Sequence, residues 1–349
     1  MVHQPSIATV SLGRCTAGHS LQNKLEAAAS QDFRGIELFY EDLVNLAASF
    51  PGGATPENQL DAASMIRRLC SKRGLAVICL QPFVQYEGLL DRDAHNQRVE
   101  DMRFWIRLAH ALGTDLILLP SSYLPPAQVT ADRDVIVRDM QEIADLGSAA
   151  RPVVRFAFEA LCWGTRIDTW EASWNVVQGV DRANFGICLD SFNFAARIFA
   201  DPLSATGMTD GACEAVRASI ARLVADVDTS RIFLLQVADA ERLQRPLTSE
   251  HDFFDPDQPA RMSWSRNARL FYGEDTQGAY LPVRAILSAI VDELGYHGWI
   301  SFEVFSRALF DTAPTVPATM AQRAMQSWRR MVVDLDLQEQ QLDKMQPML

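Results

Sequence analysis

Four polar residues recur at the same place in four apolar stretches of this chain. Val153–Trp163 (VVRFAFEALCW) carries Glu159, FGICLDSF carries Asp190, IFLLQVAD carries Gln236 and WISFEVF carries Glu303. Each stretch reads as a buried β-strand with the polar residue at its C-terminal end. The residue before each is large and apolar: Phe158, Leu189, Leu235 and Phe302. Alternate residues of a strand face opposite sides. The apolar neighbour therefore faces a covering layer while the polar residue turns the other way. Any one of the four could be an unrelated strand-end polar group. The shared register argues for one convergent site.

Three carboxylates and one amide oxygen form an all-oxygen set. Such a set suits a hard divalent ion, Mg²⁺, Mn²⁺ or Co²⁺, whereas zinc more often recruits His or Cys. Without a metal the carboxylates would repel one another and at least one would be protonated. The alternative is a metal-free polar cluster neutralised by Arg155, which shares Glu159's face by parity. A bound metal would polarise a carbonyl or enediolate oxygen. That favours proton abstraction beside a carbonyl, leading to isomerisation, epimerisation or dehydration. The residues alone do not choose among the three.

Four consecutive strand ends need a scaffold that brings them to one side. Ile7–Leu12, GIELFY, LAVICLQP and TDLILLP read as four earlier strands. Helical patterns cover Leu21–Ser30, Leu60–Lys72, Asp91–Leu112, Asp132–Ala149, Thr169–Gly179, Ala212–Val227, Leu281–Leu294 and Pro317–Leu335. Ser20 is placed to cap the first, and Gly113 to close the third. Eight alternating strand–helix pairs predict an α/β fold with a parallel sheet covered by helices. Eight units close into a (β/α)8 TIM barrel with the active site at the C-terminal strand ends. A doubly wound open sheet is the runner-up, but SLGRCTAGH is a poor match to its Gly-rich phosphate turn. No composition break appears, so 1–349 reads as a single catalytic domain. The 240–280 connection after the seventh strand is long enough to be an active-site loop or lid. Residues 336–349 read as a polar tail.

Bulk properties exclude several classes. The chain has 349 residues, 48% hydrophobic and 22% charged, with a net charge of -12. That balance opposes a nucleic-acid partner, because phosphate binding rests on Lys and Arg. No run of 18 apolar residues suggests a membrane span. MVHQPSIATVSLG lacks the basic and apolar regions of a signal peptide. The six cysteines are scattered, with no CxxC pair. A cytoplasmic protein is expected; a homo-oligomer is left open.

Among six histidines, His95, His110 and His297 read as structural. His19 follows the first strand on the catalytic side and His251 lies in the long loop, so both are candidates for proton transfer. Glu37, on the second strand, could be a general base or the partner of Arg155.

On these residues the chain resembles the sugar-phosphate isomerase/epimerase-like barrels, and more narrowly the fungal 3-dehydroshikimate dehydratases of quinate catabolism. The resemblance is carried by SLGRCTAGHS, GIELFYEDL, CLQPF, FEALCWG, FGICLDSFNFAAR, LLQVADAERL, QPARMSWSRNARLFYGE and GWISFEVF. It covers about residues 6 to 332. It implies a metal-dependent lyase acting on a small carboxylate substrate, 3-dehydroshikimate, to give protocatechuate. By motif, Glu159, Asp190, Gln236 and Glu303 match the family's metal ligands. Ser265 and Arg269 match residues that bind substrate, and Gln81 of CLQPF joins them. Arg269 is expected to grip the substrate carboxylate clear of the metal, its fork facing the same ligand as Ser265 if SRNAR is a helical turn. There are departures. Thr169 and Asn193 stand where bacterial members commonly place histidines near the metal, and Val84 stands where many have Arg. The base must then come from elsewhere, with His19, Glu37 and His251 as candidates, and charge from Arg14 or Arg266. The competing readings are a ketose or inosose isomerase, epimerase or dehydratase, a DNA-repair endonuclease on a related barrel, and a barrel that binds without catalysis.

Overall fold

The computed structural model describes residues 2–337; from residue 338 on, the expected polar tail lies outside the described residues. Eight strands form one closed parallel barrel: β1 Gln4–Ala8, β2 Gly35–Phe39, β3 Ala76–Gln81, β4 Leu116–Pro120, β5 Arg155–Glu159, β6 Phe185–Asp190, β7 Ile232–Val237 and β10 Trp299–Phe302. Two further short strands, β8 Asp239–Ala240 and β9 Arg269–Leu270, pair antiparallel outside it. The barrel closes where Gln4 to Ile7 of β1 pair with Trp299 to Phe302 of β10.

The period-2 alternation of the strands sorts their side chains as expected. Phe158, Leu189, Leu235 and Phe302 all join the large core between sheet and helices. A smaller core fills the barrel interior, with Cys79, Leu116, Leu118, Ala157, Cys188 and Leu234. Glu159, Asp190, Gln236 and Glu303 sit one inward step above that plug, at the strands' C-terminal ends.

The elements differ from the sequence reading in three places. The first strand ends at Ala8, and Thr9–Leu12 is a 3-10 turn whose Thr9 hydroxyl accepts from the Phe39 N–H. All four of its residues are buried, so apolarity there reported burial rather than extended backbone. Two helices were not expected, Tyr40–Ala48 and Ser191–Ile198. Each starts on the residue after a strand, with no linker residue to mark the change. The Leu281–Leu294 pattern is a short helix, Val283–Ser288, running into a π-turn, Ala289–Glu293. Elsewhere the caps fall where expected, with Ser20 accepting from Asn23 N–H and Gly113 in the left-handed region at φ 78°. Among the described residues no helix is long and apolar enough to cross a membrane.

The long connection after β7 is folded, not open. Its helix Ala260–Ala268 buries Met262, Ser263, Trp264, Ser265 and Ala268. The Trp264 indole N–H donates to the Glu241 carbonyl at 3.0 Å. Its two ends are held together by one side chain. Asp239 Oδ1 accepts from Ala240 N–H at 2.7 Å, Leu281 N–H at 2.9 Å and Tyr280 N–H at 3.1 Å.

Asp239 generates a stability prediction. Burial pushes its carboxyl up to about 6, against the pull of the three N–H groups. A folded-state pKa above the unfolded one means that protonated Asp239 favours the fold. That contribution is present below about pH 4 and is lost as pH rises through 6. Asp239→Asn keeps the acceptor oxygen without the charge. We expect the variant to match the wild type in thermal unfolding near pH 4 and to exceed it by about 1–3 kcal/mol near pH 7.5. A variant that matches the wild type near pH 4 and is less stable than it near pH 7.5 would show that the charge itself strengthens the clasp.

Candidate active site

Glu159, Asp190 and Glu303 converge at the top of the barrel, with one oxygen from each lying within 4.8 Å of the others. All three are buried. Asp190 is fixed from the helix that follows it, since its Oδ1 accepts from the Phe192 N–H at 2.8 Å and so caps Ser191–Ile198. Asn193, one turn along, donates through Nδ2 to Glu159 Oε1 at 2.7 Å and to Asp190 Oδ2 at 2.8 Å. Its own Oδ1 accepts from the Cys162 N–H. A neutral amide thus ties two of the carboxylates together where a histidine was noted as absent.

The cation in this cluster is Arg269, not Arg155. Arg269 is 1% exposed; its Nη1 lies 2.9 Å from Asp190 Oδ2 and 3.4 Å from Glu303 Oε2. Its Nε donates to Ser265 Oγ at 3.0 Å, and the guanidinium lies over the Phe192 ring. Ser265 and Arg269 do face one another across a helical turn. The expectation that Arg269 stands clear of the acidic cluster is overturned. Arg155 shares the inward parity of Glu159 but sits four residues earlier on β5, about 13 Å away along the strand. There it pairs with Asp115 at 2.8 and 3.0 Å, so it neutralises neither the cluster nor Glu37.

Gln236 and Glu37 lie beside the triad and are fully buried. Gln236 Nε2 donates to Glu37 Oε2 at 2.9 Å, and Gln81 Nε2 bridges Glu37 Oε2 at 3.1 Å and Glu303 Oε1 at 2.8 Å. The electrostatics follow from crowding. Burial and then the Glu303 and Asp190 charges raise Glu159 well above the carboxylate range. Burial takes Glu303 up to about 7, with Arg269 pulling it back. Asp190 is raised by burial, again against Arg269. Burial, then Glu303, takes Glu37 up to about 8. One guanidinium does not balance three buried carboxylates. The imbalance and the all-oxygen donors fit a hard divalent cation, held by Glu159, Asp190 and Glu303 with Gln236 beside them.

A cavity of about 380 Å³ opens from the triad. Glu159, Glu303, Gln81, Ser265, Arg266, Arg269 and Arg14 all line it. Its apolar wall is Phe39, Val84, Leu161, Trp163, Phe305 and Phe310. Arg14 is shared with Glu41 at 2.5 Å. Arg266 hydrogen-bonds Gln258 and the Tyr123 hydroxyl, with Arg14 and Asp255 acting on it only at longer range. Among the described residues it is the lining arginine with no carboxylate partner.

The proton-transfer candidates fare differently. His19 is buried away from the cavity, its Nε2 2.7 Å from the Asp311 carbonyl. A Cβ at Gly13 would come within 2.5 Å of its ring, so a glycine is needed for the ring to pack there. His251 packs at a tilt against the Phe253 ring, and its Nδ1 accepts from the Phe253 N–H. Neither lines the cavity, and neither does Glu37. Position in a catalytic-side loop suggested the histidines; local packing decides against them. Thr169 caps the helix Trp170–Val180 and is likewise absent from the cavity wall.

Sequence reasoning missed Tyr123. It lines the cavity three residues past β4, in a position that the rule of catalytic strand ends would have flagged. Its placement is built. Gln85, at φ 57°, accepts through Oε1 from Ser122 Oγ–H at 2.8 Å and Tyr123 N–H at 3.2 Å. Glu87, whose carboxyl burial takes up to about 8, accepts from the Ser122 N–H. A non-glycine residue in the left-handed region is strained, and such strain collects at functional sites.

The xylose isomerase-like TIM barrel profile matches residues 25–331. A 3-dehydroshikimate dehydratase of Neurospora crassa is 52% identical over 95% of this chain and 94% of its own length. A 3-dehydroshikimate dehydratase of Pseudomonas aeruginosa is 32% identical over 89% of this chain, which spans only 39% of that protein. Among solved structures, a xylose isomerase-like TIM barrel/4-hydroxyphenylpyruvate dioxygenase fusion protein superposes with a TM-score of 0.71 at 27% identity, covering 96% of this chain and 44% of that one. The chain belongs to the xylose isomerase-like TIM barrel family.

Proposed function

We propose that this chain is a 3-dehydroshikimate dehydratase, a hydro-lyase that converts 3-dehydroshikimate to protocatechuate with a divalent cation, Mg²⁺, Mn²⁺ or Co²⁺. The observation that carries the reading is the buried acidic triad opening onto a cavity that holds an unpaired arginine, Arg266, in a chain 52% identical to an enzyme of that name. Glu159, Asp190 and Glu303, with the amide oxygen of Gln236, would hold the cation. Bound there, it would polarise a ketone oxygen and acidify the neighbouring C–H.

The chain's own residues supply the rest. Arg266, free of carboxylate partners, takes the substrate carboxylate, with Arg14 behind it. A planar fork pairs two N–H donors with two carboxylate oxygens. Phe39, Trp163, Phe305 and Phe310 give flat apolar walls to a six-membered ring and exclude bulk water. Gln81 and Ser265 are placed for the ring's hydroxyl and ketone oxygens. Groups in the wall that can accept a proton are Glu159, Glu303 and, as its phenolate, Tyr123. The first two belong to the cation set, which leaves Tyr123 for proton transfer. The C–H beside the ketone loses its proton, the hydroxyl one carbon further leaves as water, and the ring becomes aromatic. Six free cysteines and this metabolic role fit the cytoplasm.

Three outcomes test the reading. First, 3-dehydroshikimate should yield an ultraviolet-absorbing aromatic product, lost on chelation and restored by Mn²⁺. Because Glu303 and Glu159 hold their protons unusually tightly, protons compete with the ion. Mn²⁺ affinity should therefore rise at least about tenfold from pH 6 to pH 8; a flat profile would remove Glu159 and Glu303 from the cation set. Second, Arg266→Ala should raise KM about 10- to 100-fold and leave Mn²⁺ affinity unchanged, whereas Arg269→Ala should shift Mn²⁺ affinity because it touches Asp190 and Glu303. Wild-type KM in Arg266→Ala would return carboxylate binding to Arg14 or Arg269. Third, Tyr123→Phe should lower kcat at least about 100-fold with little change in KM; wild-type turnover would exclude the phenol as the proton acceptor.

A further inference from the structure

Glu37 sits fully buried at the second strand's end and outside the cavity wall. Its neighbours are two amides and the Ser301 hydroxyl. Its Oε2 accepts from Gln236 Nε2 at 2.9 Å and from Gln81 Nε2 at 3.1 Å. The other end of the Gln236 amide, Oε1, meets only Cys188 Sγ at 3.5 Å. A carboxamide has two unlike ends. Its oxygen can ligate a cation and its NH₂ cannot, and beside carboxylates the NH₂ is the end that is attracted inward. The Gln236 NH₂ carries two hydrogens and lies between Glu37 and Glu303, so without Glu37 its second N–H would be free to turn toward the rest of the cluster and carry the oxygen away.

We infer that Glu37 is a positioning residue. It draws the NH₂ of Gln236 to itself and so presents the amide oxygen to the cation site, while the same oxygen fixes Gln81 against Glu303. This rests on the cation site proposed above and assigns Glu37 no part in proton transfer. The role requires an acceptor oxygen at this spot and requires neither a charge nor a base.

That requirement sets the test. Mn²⁺ affinity is measured by calorimetric titration without substrate, so the outcome stands apart from whether the reaction is dehydration. Glu37→Met matches the length and removes both oxygens; Mn²⁺ affinity should fall at least about tenfold. Glu37→Gln restores an acceptor oxygen, and most of the affinity should return, with kcat at saturating Mn²⁺ falling by less than about tenfold. In a Gln236→Ala background, Glu37→Met should cost little further affinity, since there is no longer an amide to orient. Three results would overturn the assignment. They are wild-type Mn²⁺ affinity in Glu37→Met, an equal loss in both backgrounds, and normal Mn²⁺ binding in Glu37→Gln with turnover lost a thousandfold. The last would make Glu37 a base. If Glu37→Met does not fold, Glu37→Gln decides alone: loss of Mn²⁺ affinity there rejects the role.

Discussion

Three carboxylates buried within a few ångströms of one another are the constraint on which the rest of this molecule depends. Burying a charge is costly unless it is paired. Here the pairing is deliberately incomplete, with one guanidinium for three acids. The surroundings compensate with neutral donors. Asn193 bridges Glu159 and Asp190, Gln81 reaches Glu303, and the Phe192 amide holds Asp190. Each donor softens repulsion without filling the position a cation would take. Glu159 and Glu303 rest on an apolar plug that includes Cys188, Ala157 and Leu234, which offers their charges no donors from below.

Most of this was legible in the sequence, for a physical reason. A strand alternates strictly, so the apolar residue before each acid fixes which way the acid points. In a parallel barrel all the strands run the same way, so strand-end residues must meet. Eight alternating units and four matched ends therefore implied both the fold and the acidic cluster. The helices Tyr40–Ala48 and Ser191–Ile198 were not legible, since no glycine, proline or polar run separates them from their strands.

Pairings across the barrel were harder to read. Arg155 has the parity of Glu159 and lies at the wrong end of the same strand, because parity gives a face and says nothing about height. Arg269 was read as a grip on substrate, yet its Nη1 is spent on Asp190 and Glu303. His19 and His251 belonged to the correct side and were claimed by backbone groups nearby. Tyr123 was overlooked because its place depends on Gln85 and Glu87, more than thirty residues upstream. Contacts of that kind join one βα loop to the next and leave no periodic trace in either.

The clasp at Asp239 has a consequence for how such an enzyme can change. The chain leaves the barrel after Val237 and comes back to the Asp239 clasp at Leu281, ahead of the helix that leads to the last strand. The stretch between those points holds Ser265, Arg266 and Arg269, and it is tied back to the barrel where Arg269 meets Asp190 and Glu303. A segment whose ends are held by one side chain can change length between its anchors, provided that the stretch bearing Arg269, the cluster's cation, keeps its place. The barrel and its excursion can thus diverge at different rates. New ring acids can be accommodated by rewriting the parts of the excursion away from Arg269, while the acidic centre is inherited intact.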